Sequence, residues 1–175
     1  MPPSVVLPSY RETVHAEWVD YNGHMRDAFY MLVFSLAADV VIDLIGLTDA
    51  VRKARQRSIY TLEAHLNYLH ELKEGAGMRV DMRLLAHDAK RLHLYLEMFA
   101  LDSTRMEPVA ASEQLLLHVD TSGPRGVAFD PDIAARVQEL AHAHATLPAA
   151  RFAGHVIGLA GGAQRTTQAQ RNGHA

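Results

Sequence analysis

The sequence predicts an α+β fold in which an antiparallel sheet of about five strands wraps around one long central helix, with a further helix near the C-terminus. Two observations predict this class. Segments between residues 57 and 119 alternate apolar and polar side chains with a period of two, which is typical of half-buried strands. Ahead of them lies one long apolar stretch, AFYMLVFSLAADVVIDLIGL, which needs cover from the rest of the chain. A sheet packed on a helix satisfies both requirements.

Length and composition indicate one domain. The chain has 175 residues, of which 49% are hydrophobic and 21% are charged, and such values are ordinary for a protein that buries a core. We expect a single domain over residues 1–150 and a flexible C-terminal tail over 151–175. The tail is expected because the sequence after Gly158 has few apolar residues.

The same counts argue against several classes of protein. A net charge of −3 argues against a nucleic-acid partner, and the absence of cysteine excludes disulfide scaffolds, cysteine zinc sites and thiol nucleophiles. The N-terminal residues lack the features of a signal peptide, so we expect a cytoplasmic protein. Eleven histidines raise the question of a metal, but no HExxH spacing occurs and we expect no metal site.

The first long element is a helix over Ala28–Leu47. Its length would suit a membrane span, but Asp39 and Asp43 lie inside it, and each would cost about 2.5–3.5 kcal/mol at the centre of a bilayer. The two carboxylates are four residues apart and share one helix face. We therefore predict a helix of a water-soluble protein, buried on most sides, and no membrane partner.

The strands come next. Alternation predicts one strand before the helix and four after it, over residues 10–19, 57–70, 78–85, 92–100 and 109–119. The connections at 73–77 and 87–90 are short, and short connections favour antiparallel neighbours. The four later strands are therefore expected to form a meander.

A last helix is predicted over Asp130–Ala145. Ile133, Val137 and Leu140 recur there with helical spacing. Asp130 is placed to cap this helix, because proline follows it at the first helical position.

The segment between the first strand and the long helix carries the candidate chemistry. It reads EWVDYNGHMRDAFY, in which Asp20 follows a strand and Asn22-Gly23 is a strong turn dipeptide. The helix begins soon after, with Asp27 suited to its N-cap or first turn. A carboxylate and free N–H groups would thus meet at a helix N-terminus, an arrangement that suits acyl transfer to water. The alternative is that Asp20 and His24 are only turn and cap residues.

This segment resembles the thioesterase signature of the 4-hydroxybenzoyl-CoA thioesterase-like hotdog family. The signature has Asp, then Gly-His, then Tyr six positions after His, and Asp20, Gly23, His24 and Tyr30 match it. The resemblance extends over residues 10–120. It implies the hotdog fold and an acyl-CoA thioesterase without a cofactor, since coenzyme A is part of the substrate. It also implies a homodimer or a dimer of dimers, which would pair the exposed sheet edge.

The resemblance assigns a role to each matching residue. Asp20 would be the catalytic carboxylate, acting on water or directly on the thioester carbonyl. The N–H groups of Gly23 and His24 would polarise the carbonyl oxygen, and Asn22 would orient Asp20 or the substrate. Tyr30 would pack the helix against the loop or contact the substrate. Serine nucleophiles are not expected, because no serine lies in a GxSxG context.

The sequence around the motif is similar to that of thioesterases associated with L-carnitine catabolism, which hydrolyse betainyl-CoA to glycine betaine and CoA. A betainyl group carries a trimethylammonium ion, which aromatic faces or a carboxylate would have to hold. The substrate-binding candidates are Trp18, Tyr21, Tyr30, Glu63, His65 and Tyr68. For Glu63 and His65, which share a strand face, the alternative is an ordinary solvent-facing polar stripe.

Other functions compete with this hypothesis. A thioesterase for another short-chain or aromatic acyl-CoA would use the same motif. A hotdog hydratase pairs Asp with His at a different spacing, whereas Asp20 and His24 are four apart here. A non-catalytic acyl-CoA-binding protein is the third alternative, although no basic helix typical of a DNA-binding regulator is present.

Overall fold

The structure is a computed structural model, and it describes residues 7–101, 103–104 and 106–158. A six-stranded antiparallel sheet has the main strand order β1-β3-β4-β5-β2, and the two-residue β6 pairs with β5. The strands are β1 Ser9–Thr13, β2 Arg57–Tyr68, β3 Gly77–His87, β4 Arg91–Ala100, β5 Ala110–Asp120 and β6 Arg125–Gly126. The helices are α1 Asp27–Leu44, α2 Asp49–Arg55 and α3 Pro131–His144, and a 3₁₀ turn covers Ala16–Trp18.

The core lies between α1 and one face of the curled sheet. The helix buries seven side chains, and the inward side chains of β3 and β4 are almost fully buried beneath it, including Met82, Leu94 and Met98. Among the described residues no single helix is long and apolar enough to cross a membrane. Only α1 and α2 together, bent by 70°, pass that test of length and composition. The apolar cover of α1 is therefore the sheet, as the sequence predicts.

The long helix is shorter than predicted at its C-terminal end, and a second helix follows it. α1 ends at Leu44, because Gly46 adopts a φ of +94° that turns the chain. The side chain of Thr48 then caps α2 by accepting a hydrogen bond from the N–H of Val51. The predicted helix over Ala28–Leu47 is therefore wrong in its last turn.

The first strand is also shorter than predicted. β1 pairs with β3 from Ser9 to Thr13, and the ladder stops at Gly77, where β3 begins. After the two backbone hydrogen bonds of Val14 with Gly75 and Ala76, Ala16–Trp18 forms a 3₁₀ turn in place of the strand predicted to reach residue 19.

The predicted meander holds only for β3, β4 and β5. β2 does not pair with β3 but lies beside β5 at the opposite edge of the sheet. The connection over residues 69–76 crosses over the N-terminal end of α1, where the N–H of Met25 donates to the carbonyl oxygen of Leu72. This crossover, which short-loop reasoning missed, brings the connection against the segment that carries Asp20 and His24.

The alternation predicted for β2 is interrupted by a bulge. The pairing with β5 shifts between Thr61 and Glu63, so Leu62 is an extra residue. Thr61 pairs with the core residue Leu116, whereas Tyr60 pairs with Leu117 and faces outward. Tyr60 therefore does not share a face with the later apolar residues of β2, because one inserted residue reverses the side-chain phase.

The C-terminal helix forms as predicted, with a different role for Asp130. Asp130 occupies the N-cap position, but its side chain makes no capping hydrogen bond and instead pairs with Arg55. In the segment after α3, the N–H of Phe152 donates to the Tyr95 hydroxyl and that of Gly154 to the Glu113 carboxylate. Residues 159–175 of the predicted flexible tail lie outside the described residues.

Candidate active site

The motif loop runs from Asp20 to His24 and is closed by backbone hydrogen bonds. The N–H of Asp20 donates to the His24 carbonyl oxygen over 2.9 Å, and the N–H of Gly23 donates to the Asp20 carbonyl oxygen over 3.0 Å. Gly23 has a φ of +76°, a conformation that glycine adopts without strain. The Asn22-Gly23 turn is therefore formed as its residue types indicate.

The carboxylate of Asp20 is held from one side. Its Oδ1 accepts the N–H of Asn22 over 2.8 Å and the N–H of His24 over 3.1 Å. These bonds, the His24 contact first, lower the pKa of Asp20 below the usual aspartate range, and the charges of His24 and Arg26 add to the effect. Asp20 is therefore ionised at neutral pH. Asn22 contacts Asp20 through its backbone.

The two predicted carbonyl-polarising donors are both engaged inside the loop. The N–H of Gly23 is bound to the Asp20 carbonyl, and that of His24 to the Asp20 carboxylate. Their role toward a substrate stays a prediction. No hydrogen bond found among the described residues engages the N–H of Asp27, the first residue of α1. This group lies at the positive end of the helix and takes no part in the hydrogen bonds of the loop.

The crossover segment 69–76 forms the wall beside the loop. The backbone of His24 forms an isolated antiparallel β-bridge with Lys73. The ring Nε2 of His24 lies 3.2 Å from Oε2 of Glu71. The buried hydroxyl of Tyr30 donates to the His70 carbonyl over 3.4 Å and accepts the N–H of Leu72 over 3.2 Å. Tyr30 thus joins α1 to the crossover segment, whereas its predicted contact was with the motif loop.

A small cavity of about 280 Å³ opens between α1 and the crossover. The ring of Tyr68 stands at right angles to that of Tyr30, with their centroids 5.4 Å apart. The Tyr68 hydroxyl donates to the Asp27 carbonyl over 3.4 Å. The lining residues are Met25, Asp27, Tyr30, Tyr68, Leu69, His70 and Glu71.

Two predicted substrate-binding aromatics lie outside this cavity. Trp18 is only 7% exposed and is stacked against His15 on one side and Phe29 on the other. Tyr21 is 94% exposed at the tip of the loop. Within the protomer, Trp18 therefore acts in packing, and Tyr21 has its ring in solvent.

Glu63 and His65 line a different cavity. They face away from α1 on the outer side of the sheet, where the His93 ring lies 2.6 Å from the Glu113 carboxylate. This cavity has a volume of about 830 Å³ and is bordered by the segment 154–157. The protomer does not bring Glu63 or His65 to the motif loop.

Sequence reasoning missed Asp27 and Glu71 as parts of the site wall. Asp27 was expected only as a helix-start residue, and Glu71 follows a strand whose crossover was not foreseen. The sequence does show an acidic residue at both places, with Asp27 at the start of the long helix and Glu71 shortly after the β2 segment. Among the described residues no cluster of His, Asp or Glu is arranged to hold a metal ion.

Comparisons with known proteins give a consistent result. The family model of the Thioesterase-like superfamily matches residues 14–137. The betainyl-CoA thioesterase of Pseudomonas aeruginosa is 51% identical over 156 residues, which cover 89% of this chain and 97% of that protein.

Solved structures show the same fold. A candidate thioesterase of Pseudomonas putida KT2440 is 40% identical with a TM-score of 0.75, covering 91% of this chain and 98% of its own. A Staphylococcus aureus protein solved in complex with CoA is 28% identical with a TM-score of 0.81, covering 88% and 96%. The curled sheet around α1 is therefore the hotdog architecture that the motif predicts.

Proposed function

This chain belongs to the Thioesterase-like superfamily and is a thioester hydrolase, and from that membership we propose that it hydrolyses betainyl-CoA to glycine betaine and CoA. The high identity to the Pseudomonas aeruginosa betainyl-CoA thioesterase, which extends over nearly the whole of that protein, supports this substrate. The single structural observation that carries the chemistry is Asp20, an ionised carboxylate held by two backbone N–H groups beside the start of a helix.

The two oxygens of Asp20 have different tasks in this proposal. Oδ1 accepts the N–H groups of Asn22 and His24, which fix the orientation of the carboxylate. Oδ2 is directed to the reaction. It takes a proton from the attacking water, or it attacks the carbonyl carbon itself to form a mixed anhydride that water then cleaves. In both routes the thioester C–S bond breaks and the CoA sulfur takes a proton. In the first route water supplies the new carboxylate oxygen. In the second, when water opens the anhydride at the Asp20 carbonyl, the product keeps an Asp20 oxygen and water replaces that oxygen in Asp20.

The substrate carbonyl oxygen becomes negative in the transition state, and the N-terminus of α1 stabilises that charge. The N–H of Asp27 is the donor we assign to it, because the N–H groups of Gly23 and His24 serve the loop. The helix dipole adds to this stabilisation. The electron-withdrawing cation of a betainyl group activates its carbonyl further, so a site this simple suffices.

A single-turnover reaction in H₂¹⁸O tests for direct attack by Asp20. If the carboxylate attacks and water then opens the anhydride at the Asp20 carbonyl, ¹⁸O enters Asp20, which mass spectrometry of the peptide that contains it detects. Activation of water transfers the label to glycine betaine and leaves the peptide unlabelled, so ¹⁸O found in Asp20 would establish direct attack.

The substrate is tested by incubating the purified protein with betainyl-CoA, acetyl-CoA and benzoyl-CoA and following thiol release. We expect the highest kcat/KM for betainyl-CoA. A preference for benzoyl-CoA or long-chain esters would contradict the carnitine-related assignment, and it would favour a thioesterase for another acyl group. We also propose that no cofactor takes part, so activity is expected to survive dialysis against EDTA.

We propose a homodimer formed through the β2 edge of the sheet. β2 is an edge strand, and Tyr60 and Leu62 on it are 45% and 51% exposed. A long edge strand with apolar side chains is a surface that pairs with another strand. Pairing two β2 strands across a twofold axis would cover this surface in both copies. Assembly into a dimer of dimers and a cytoplasmic location stay predictions.

A further inference from the structure

The substrate proposed above places a strict requirement on its binding site. A trimethylammonium group has no N–H to donate, so only aromatic faces and carboxylates at a distance attract it. Its nitrogen is two bonds from the thioester carbonyl carbon. The cation must therefore be bound directly beside the catalytic carboxylate and not at a remote surface.

The small cavity between α1 and the crossover segment meets the positional requirement. One of its lining residues, Met25, directly follows His24, whose N–H is bound to the Asp20 carboxylate. A second lining residue, Glu71, contacts the His24 ring over 3.2 Å. His24 thus contacts both the Asp20 carboxylate and Glu71 of the cavity lining.

The cavity also has an aromatic surface. The ring of Tyr68 remains half exposed, and it is held in place by its hydroxyl bond to Asp27 and by its edge contact with Tyr30. Tyr30 itself is almost fully buried, so Tyr68 is the ring that offers its surface to a ligand. An oriented aromatic ring attracts a quaternary ammonium through its π-electrons without a hydrogen bond.

Carboxylates add negative potential to the same cavity. The charge of Asp27 contributes, after burial, to the raised pKa of Tyr68, and the charge of Glu71 contributes likewise to that of Tyr30. The negative charge of Asp27 therefore acts on Tyr68, and that of Glu71 acts on Tyr30. The lining residues described for this cavity include no lysine or arginine that would oppose a bound cation.

We infer that Tyr68, Asp27 and Glu71 form the binding site for the cationic end of the acyl group and make the enzyme selective for a quaternary ammonium thioester. This inference rests on the proposed hydrolysis of betainyl-CoA. The structure separates these residues from Trp18, Tyr21, Glu63 and His65, the other candidates for substrate binding, which do not line this cavity.

Two substrates of the same shape test the inference. Betainyl-CoA and 3,3-dimethylbutanoyl-CoA differ only in replacing the charged nitrogen by carbon. The difference in carbonyl reactivity is the same for every variant, so a change in the ratio of their kcat/KM values between wild type and variant reports recognition of charge. In Tyr68→Leu we expect this ratio to fall about tenfold from the wild-type value, the size of one aromatic contact with a cation. Tyr68→Phe keeps the ring and is the matched control, with a ratio within about twofold of wild type. Glu71→Gln is expected to lower the ratio in the same direction.

The outcomes separate failure of the inference from failure of the proposed function. An active wild type whose ratio is unchanged in both Tyr68→Leu and Glu71→Gln would overturn the inference alone. A wild type that does not cleave betainyl-CoA would overturn the proposed function, and the inference with it. Because Tyr68 lies on the β2 edge, the molar mass and thermal midpoint of each variant are measured, and Glu71→Gln supplies the test if Tyr68→Leu does not fold.

Discussion

Asp20 owes its proposed reactivity to its backbone surroundings. Two N–H groups of the motif loop hold Oδ1 and stabilise the charged form. The loop can supply them because Gly23 takes a positive φ and closes the turn. The residue pattern Asp-x-x-Gly-His thus forms a turn that holds one carboxylate in its ionised state next to a helix N-terminus.

Replacing Asp20 by asparagine tests its chemical role without removing the loop contacts. An amide oxygen still accepts the N–H groups of Asn22 and His24, but it neither takes a proton from water nor attacks a thioester. We expect kcat to fall by about 10²–10⁴-fold, with a thermal midpoint close to that of wild type. Asp20→Ala is the comparison in which both activity and loop stability decline. Near-native turnover in Asp20→Asn would remove Asp20 from the catalytic role.

The pH profile tests the ionisation of Asp20. Its pKa is lowered by the His24 and Asn22 N–H groups, and activity requires the charged form. As the pH falls, kcat/KM is therefore expected to stay level through the usual titration range of an aspartate and to decline only below it. Arg26→Gln removes a positive charge that contributes to the lowering, so its acid limb should move to higher pH. An acid limb centred well above the aspartate range would contradict the assignment.

At the scale of elements, the crossover between β2 and β3 builds the site wall. It carries Glu71 and Leu72 to the N-terminal end of α1, where they contact His24, Met25 and Tyr30. α3 has a comparable structural role near the C-terminal end of β3, where Nδ1 of the buried His144 accepts the N–H of Leu84 over 3.0 Å. The crossover and α3 are thus each joined to a neighbouring element by specific polar contacts.

The contact between α3 and β3 should make stability depend on pH. Burial, followed by the charge of Arg83, lowers the pKa of His144. The unfolded chain therefore binds a proton at a higher pH than the folded chain does. The contribution of His144 to stability is present above its unfolded pKa and is lost as the pH falls through the lowered folded pKa. Urea unfolding between pH 7 and 5 should show a smaller decline in the unfolding free energy for His144→Gln, whose amide oxygen accepts the same N–H. An equal decline in both proteins would count against the contact.

At the scale of the whole molecule, one protomer leaves its apolar surface incompletely covered. The β2 edge exposes Tyr60, Leu62 and Tyr68, and Leu32 on α1 is also exposed. Water-exposed apolar area of this kind on an edge strand favours association. The proposed dimer would cover Tyr60 and Leu62, whereas the Tyr68 ring lines the cavity between α1 and the crossover.

A charge at the β2 edge should separate the proposed dimer. Leu62→Arg places a cation on the surface that two copies would bury, and we expect the molar mass in light scattering to fall to that of one chain at micromolar concentration. Met106→Arg is the control, because Met106 is an exposed apolar residue outside β2. A monomeric wild type, or a dimer unaffected by Leu62→Arg, would contradict assembly through this edge.

Several features were accessible from the sequence because they depend on neighbouring residues. The period-two segments became β3, β4 and β5, and the Asn22-Gly23 dipeptide became the expected turn. The end of α1 was not predicted, because the sequence does not show that Gly46 adopts the positive φ that turns the chain. The bulge at Leu62 was also missed, since a continuous alternation in the sequence hides one inserted residue.

The sequence by itself determined the class of fold, the central helix and the position of the carboxylate motif. These follow from local periodicity and from side-chain types at fixed spacing. Only the tertiary structure decided that β2 pairs with β5, that Glu71 contacts His24, and that Glu63 and His65 lie on the other side of the sheet. Those facts depend on the route of the chain between elements, and many routes satisfy the same local pattern. The site wall is therefore a product of long-range packing, while the carboxylate at its centre is a product of local sequence.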